Sequence, residues 1–276
     1  MYTPETSRSS TLTRLARMLR SKPVMRQMIQ TSGIRELILG SLSLTRDLSA
    51  CGTGELRTIC YHHVRQHEMR DLGRQLDYLK NYGEFIDVDA AVHLMKNDRF
   101  EGRYFLVTFD DGYRDTVQNA LPVLVEKAVP AVMFVISGYL TGELHELRAD
   151  VNGKFLDRQG CLRWTEAGMA IGSHTHTHRR LAELSEDEVL RELVHSRSVL
   201  SDLLGTFVTH FACPWGSPGD DFHAHRDPML AAQAGFSSFF TTVRGPARAA
   251  GDVFNMPRDV IEPTWSNWQL KYFFGR

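Results

Sequence analysis

No run of apolar residues in this chain approaches the length that would cross a bilayer, and no continuous apolar core follows the charges near its start. The first absence speaks against a spanning helix. The second leads us to expect no secretory leader, and hence a cytoplasmic protein, peripheral to the inner membrane at most. A formal net charge of −1 gives no reason to expect bulk binding of nucleic acid. The four cysteines, Cys51, Cys60, Cys161 and Cys213, include no Cys-x-x-Cys pair. Free, buried thiols in a reducing compartment are their simplest account. No internal repeat or low-complexity tract is present. After His225 there is no further histidine.

The 276 residues suit one α/β-barrel-sized domain with an extension, enough to bury a substantial core. Residues 1–54 read as an N-terminal helical extension and residues 55–276 as the main domain. The first 30 residues carry Arg8, Arg14, Arg17, Arg20, Lys22 and Arg26 against Glu5 alone. Leu12, Leu15, Met18 and Leu19 recur among them at helical spacing. Such a helix can lie on an anionic membrane surface. A helix packed on the protein, or a loose tail, is the simpler reading, and both stay open. A second apolar patch, residues 34–48, leads to Gly52 and Gly54 as a linker.

From there, strand-like and helix-like stretches alternate. Residues 56–61 predict a strand, 69–82 a helix through Leu72, Leu76 and Leu79, 85–86 a short strand and 89–95 a short helix. Residues 104–109 read as a buried strand, and 131–136 is a continuous apolar run of the kind expected of a strand buried on both faces. A helix is expected over 116–127. Ser185 with Glu188 reads as a capping box for a helix carrying Val189, Leu193 and Leu200. Residues 206–211 and 236–241 are strand-like, and 228–234 helical. This alternation predicts a parallel sheet or barrel.

Two stretches carry chemistry. The strand over 104–109 runs into Asp110, Asp111 and Gly112. Neighbouring side chains on an extended backbone point opposite ways, so one carboxylate can bind a metal while the other handles a proton. Two buried like charges this close need a cation or a shared proton. A polar Asp-Gly turn is the plainer alternative. The second stretch is Ser173-His174-Thr175-His176-Thr177-His178. On a helix, His174 and His178 would share a face; on a strand all three rings would. An upstream carboxylate with two imidazoles makes a zinc-type catalytic set with coordination positions left for water.

Together, Thr108-Phe109-Asp110-Asp111-Gly112 and Ser173-His174-Thr175-His176-Thr177-His178 strongly resemble the polysaccharide deacetylases, the NodB-homology or carbohydrate esterase family 4 enzymes. The resemblance covers about residues 56–262. It implies a distorted, incomplete (β/α) barrel with sites at the C-terminal ends of strands. It further implies that Asp110 is the general base and that Asp111, His174 and His178 hold one divalent metal. Zinc is expected, with cobalt, nickel and iron also compatible. His176 falls at the family's variable position and is not expected to be a ligand.

Most members place their catalytic histidine near the C-terminus, which this chain lacks. Tyr61-His62-His63-Val64 resembles the permuted variant of the poly-N-acetylglucosamine deacetylases, making His62 the candidate general acid and His63 the runner-up. Phe211-Ala212-Cys213-Pro214-Trp215-Gly216 resembles the third motif, whose aromatic residue, here Trp215, offers its backbone N–H to the oxyanion. Trp215 is equally readable as core or as a sugar-stacking platform. Ala212 stands where many members have an arginine. Arg258, in Met256-Pro257-Arg258-Asp259, resembles the fourth-motif arginine that would orient Asp110. The polar segment 138–163 lies where barrel insertions shape specificity. His145, His223 and His225 read as solvated loop residues.

The expected activity is removal of an N-acetyl group from an acetamido sugar. The substrate would be a glycan or a lipid- or nucleotide-linked glycan precursor, in lipopolysaccharide, O-antigen or exopolysaccharide assembly. A hydrolase of small non-sugar amides and an inactive carbohydrate-binding relative are the alternatives.

Overall fold

The structure, a computed structural model, describes residues 54–97, 100–144, 154–248 and 250–275. The N-terminal extension, apart from Gly54, lies outside them, as do Cys51, His145 and the basic segment whose contact with a membrane the sequence leaves open.

Strands form over or beside the stretches that the sequence marks as strand-like, and over two that it does not, residues 170–173 and 259–260. They are β1 (Glu55–Tyr61), β2 (Glu84–Phe85), β3 (Arg103–Phe109), β4 (Ala131–Val135), β5 (Ala170–Ser173), β6 (His210–Ala212), β7 (Ser238–Phe240) and β8 (Asp259–Val260). Their order is β7-β6-β5-β4-β3-β1-β8, with β2 also on β3. All strand pairs are parallel. β3 is buried at every position but Tyr104, and β4 throughout, as parallel strands covered on both faces require.

The sheet is curled. On a flat sheet, β1 and β7 would lie about 24 Å apart, at ~4.8 Å per strand. Yet Leu56 of β1, Leu106 of β3, Val132 and Phe134 of β4, Ala212 of β6 and Phe240 of β7 share one buried cluster. The segment before β8 touches both margins. Met256 pairs with Phe240, and from three residues later Asp259 and Val260 pair with Ile59 and Cys60. The result is an α/β fold with an open, all-parallel half-barrel. Gly172 is needed on β5 because a Cβ there would stand 2.5 Å from the Phe134 ring.

Helices cover the outside and one end. They are α1 (Met69–Lys80), α2 (Val88–Lys96), α3 (Leu121–Glu126), α4 (Ser137–Thr141), α5 (Arg158–Glu166), α6 (Glu186–Leu204) and α7 (Asp227–Gln233). Leu72, Leu76 and Leu79 form the buried stripe of α1. Val88, Ala91, Val92 and Met95 of α2 join the barrel's interior cluster. The helix expected over 116–127 begins instead as a π-helical turn, Thr116–Ala120, before α3. The polar segment 138–163 contains part of α4 and the start of α5.

Ser185 caps α6: its hydroxyl accepts from the Glu188 N–H, and the Glu188 carboxylate accepts from the Ser185 N–H at 2.9 Å. Ser185→Ala is expected to lower stability by about 1 kcal/mol. Denaturant unfolding should show the midpoint falling with an unchanged slope.

Cys60, Cys161 and Cys213 are free and buried. Burial pushes all three thiols up, Cys161 to about 12, so none is a ready nucleophile. Residues 54–265 lie in one compact unit; Ser266–Arg276 belong to a second. In it, α8 (Asn267–Phe274) starts at a Ser266–Gln269 capping box.

Candidate active site

Site residues leave the sheet at the C-terminal ends of β1, β3, β5 and β6. In β3, Leu106 faces the barrel's interior cluster, and two-residue alternation carries Thr108 and then Asp110 to the same side. The Asp110 N–H still donates to the Tyr61 carbonyl at 3.0 Å, prolonging the β1–β3 ladder. Asp111 then breaks it with a φ of +71°, followed by Gly112 at +76°. That turn gives the two carboxylates separate surroundings.

Asp110 is 2 % exposed. Its Oδ1 accepts from Arg258 Nη1 at 2.6 Å. Arg258 is fully buried, sits at the crossing from β7 to β8, and donates from Nε to the Thr241 carbonyl at 2.9 Å. Burial alone would push the Asp110 carboxyl up. The Arg258 guanidinium, then the His174 and His62 rings, outweigh it and hold the group below its ordinary value.

Asp111 Oδ1 lies 3.4 Å from His174 Nε2 and 3.3 Å from His178 Nε2. His174 Nδ1 faces the Ala212 carbonyl at 2.8 Å. A carbonyl can only accept, so in a neutral ring Nδ1 carries the hydrogen and Nε2 presents a lone pair. A lone pair aimed at a carboxylate oxygen is repulsive unless a cation stands between them. Metal–ligand bonds of ~2.1 Å set adjacent corners of a tetrahedron ~3.4 Å apart, which is the observed spacing. The donor set therefore fits a divalent metal. Burial raises the Asp111 carboxyl, but the two imidazoles beside it, as hydrogen-bond donors when they carry protons on Nε2, more than reverse this and hold it well below the ordinary range. Burial lowers His174, yet Asp110 and Asp111 leave it raised; His178, where burial dominates, is lowered.

The histidine segment is neither helix nor strand. It is a turn after β5 with Thr175 at φ +65° and His178 at +56°. Thr175 Oγ1 accepts from the His178 N–H at 2.9 Å. Glu192, on α6, accepts from the N–H groups of His176 and Thr177 and from the Thr177 hydroxyl. The His176 ring lies against Ser137 and Glu143 instead of Asp111. Asp111, Thr175, His178 and Trp215 are four of the six non-glycine residues with positive φ among those described. Backbone strain of this kind collects where geometry must be held.

Trp215 is 43 % exposed. Its ring lies 4.5 Å from that of His178, with the Arg180 guanidinium 4.7 Å from its centroid and Arg180 anchored on Asp221. Its backbone N–H donates to no acceptor among the described residues. His62 follows Tyr61, the register partner of Phe109, so it stands beside Asp110 on the rim. His63 is turned aside: Nδ1 lies 2.8 Å from Asp115 Oδ2, and the ring stacks at 3.7 Å on Tyr113. His223 and His225 are exposed.

Sequence reasoning missed an aromatic wall. Tyr113 stacks on Phe155 at 4.9 Å and Phe155 on Tyr139 at 3.6 Å. With Asp111, Leu144 and His178 these rings line a cavity of about 260 Å³. Only Tyr113, next to Asp-Asp-Gly, carried a local signal; the others come from the segment 138–163 and its borders.

A family model for polysaccharide deacetylase matches residues 97–234, half of the chain, including Asp110, Asp111, His174, His178 and Trp215 but not His62 or Arg258. YxkH of Bacillus subtilis is 25% identical over 178 residues, 64% of this chain and 58% of the relative. The poly-beta-1,6-N-acetyl-D-glucosamine N-deacetylase of Staphylococcus aureus is 24% identical over 158 residues, 53% of this chain and 52% of the relative. The chain thus spans about half the length of the curated relatives it matches. The solved structure of IcaB from Ammonifex degensii superposes with a TM-score of 0.69 at 24% identity, over 82% of this chain and 98% of that one. That likeness shows the fold.

Proposed function

The chain belongs to the polysaccharide deacetylase family, hydrolases acting on amide bonds, and from that premise we propose that it removes the N-acetyl group from an acetamido sugar of a glycan or glycan precursor. One observation carries the reading. Asp111, His174 and His178 converge with the spacing of a metal's ligands, beside an Asp110 that Arg258 keeps ionised. The Staphylococcus aureus relative, named for an N-acetylglucosamine polymer, supports the sugar as substrate class.

An amide is a poor electrophile, and its amine a poor leaving group. A divalent ion on Asp111, His174 and His178 would supply Lewis acidity and lower the pKa of water toward neutrality. Zinc suits one carboxylate and two imidazoles; cobalt, nickel and iron fit the same donors. Asp110 removes the proton of the attacking water. The free Trp215 N–H donates to the oxyanion, an interaction of a kind typically worth about 3–4 kcal/mol of barrier. His62, beside Asp110 on the rim, protonates the departing nitrogen. Acetate and a free amino sugar result.

The exposed face of the Trp215 indole serves as a platform for the sugar ring. Ring-face contacts contribute about 0.5–1.5 kcal/mol. Trp215→Ala, which keeps the backbone N–H, is therefore expected to raise KM roughly 2- to 10-fold with a smaller change in kcat. Steady-state acetate release checks this; a kcat loss at constant KM would argue against the platform.

The functional reading is tested by acetate release from N-acetylglucosamine oligomers, with small non-sugar amides assayed alongside. Metal-loaded protein should hydrolyse the oligomers. Turnover of the small amides alone would transfer the reaction to that substrate class. Turnover of neither, by protein holding its ion, would overturn the enzyme reading.

A further inference from the structure

His176, unused in the mechanism above, belongs to a second cluster on the far side of the same turn. Its Nε2 lies 2.8 Å from Glu143 Oε2, just past α4, and its ring meets that of His195, on α6, edge-on at 4.2 Å. Each of the three offers a ligand atom, and these atoms all lie within 4.8 Å of one another. The set is again one carboxylate and two imidazoles. His176 is buried, whereas Glu143 and His195 are exposed, and the cluster borders an open groove of about 760 Å³ that His176 and His195 help to line. An ion can therefore reach it from solvent.

The orientation of His176 is set from behind. Its Nδ1 is 2.8 Å from the buried Ser137 hydroxyl, and Glu192 fixes its backbone N–H. A hydroxyl can donate to or accept from a ring nitrogen. Ser137 therefore serves either tautomer. Nε2–H can donate to Glu143, or, with the hydrogen on Nδ1, Nε2 can offer its lone pair outward. The second arrangement is the outer-shell partner found behind metal-bound histidines. His195 projects from a regular helix and forms no hydrogen bond among the described residues.

We propose that Glu143, His176 and His195 form a second, exchangeable site for a divalent first-row transition ion such as zinc, cobalt, nickel or copper. Imidazole with carboxylate selects these over calcium or magnesium. Water completes the coordination on the groove side. The ion would tie together the segment after β4, the turn that carries His174 and His178, and α6. It would thereby stiffen the turn without touching the cluster around Asp111.

The test uses the full-length chain loaded with its first ion and titrated with zinc by calorimetry, with metal content measured after equilibrium dialysis. Wild type should show a second binding event. His195→Gln and Glu143→Gln, both at exposed positions, should abolish it while retaining the first ion and unchanged basal acetate release. Ser137→Ala should weaken it about 10- to 100-fold. Asp111→Asn should lose the tight ion and retain the weak one, which separates failure here from failure of the deacetylase reading. The second ion should also raise the Tm of wild type and not of His195→Gln. Saturation at one ion per chain up to millimolar zinc, or a second event that survives His195→Gln, would overturn the proposal.

Discussion

Asp110→Asn is expected to lower kcat by about 10²- to 10⁴-fold, the usual contribution of a positioned general base. That is about 3–5 kcal/mol of barrier. Asparagine matches the carboxylate in shape but cannot take a proton from water. Asp111, His174 and His178 are untouched, so a bound ion should remain and KM should change little. The substitution also strips the buried Arg258 of its charge partner, so the variant should unfold more easily and be assayed well below its Tm. Steady-state acetate release with metal content measured on the same sample checks the prediction. Activity within twofold of wild type, at full metal content, would remove Asp110 from the role of base.

Arg258→Met should cost about 3–5 kcal/mol of stability, because it leaves a buried carboxylate without its cation. The pH behaviour should change in a definite direction. In wild type the Asp110 carboxyl is held below its ordinary value of 3.8, with burial outweighed first by Arg258. A depressed native pKa contributes stability that is fully present above pH 3.8 and is lost as pH falls through the native value. Without Arg258 only the His174 and His62 rings are left to oppose burial, and the native pKa is expected to rise above the unfolded one. The sign then reverses: the variant is favoured at low pH and loses stability as pH rises through the elevated native value. The acid limb of kcat against pH should move upward with it, so activity lost at acidic pH is recovered on raising the pH. Denaturant unfolding and a pH–rate profile report the two effects separately. A pH profile superimposable on wild type would show that Arg258 does not set the ionisation of Asp110.

How much of this was legible in the sequence differs by element. The run from 104 to 109 reads directly as a buried strand because hydrophobicity, β-branching and the Asp-Asp-Gly stop all agree, and β3 ends at Phe109. Ser185 and Glu188 announce the start of α6 through local hydrogen bonding alone. The sequence joins His174 to His178 by helical or strand periodicity, and neither holds. Positive φ at Thr175 and His178 defeats both periods, and the turn is held by Thr175 and by Glu192 from a distant helix. The strand expected over 206–211 begins only at His210, because Phe207 is 77 % exposed and the Val208 N–H donates to Ser201 rather than to a strand. The pairing of Arg258 with Asp110 spans 148 residues, and no local pattern could supply it. Only the family resemblance points to it. The wall formed by Tyr113, Phe155 and Tyr139 had not even that signal, since it depends on how the segment 138–163 folds back.

The central claim is a shared ion, and anomalous diffraction from crystals grown with zinc addresses it most directly. The account predicts a peak about 2.0–2.1 Å from Asp111 Oδ1, His174 Nε2 and His178 Nε2, with the Asp110 carboxylate outside its coordination sphere. Zinc-saturated crystals with those three side chains in place and no peak between them would contradict it.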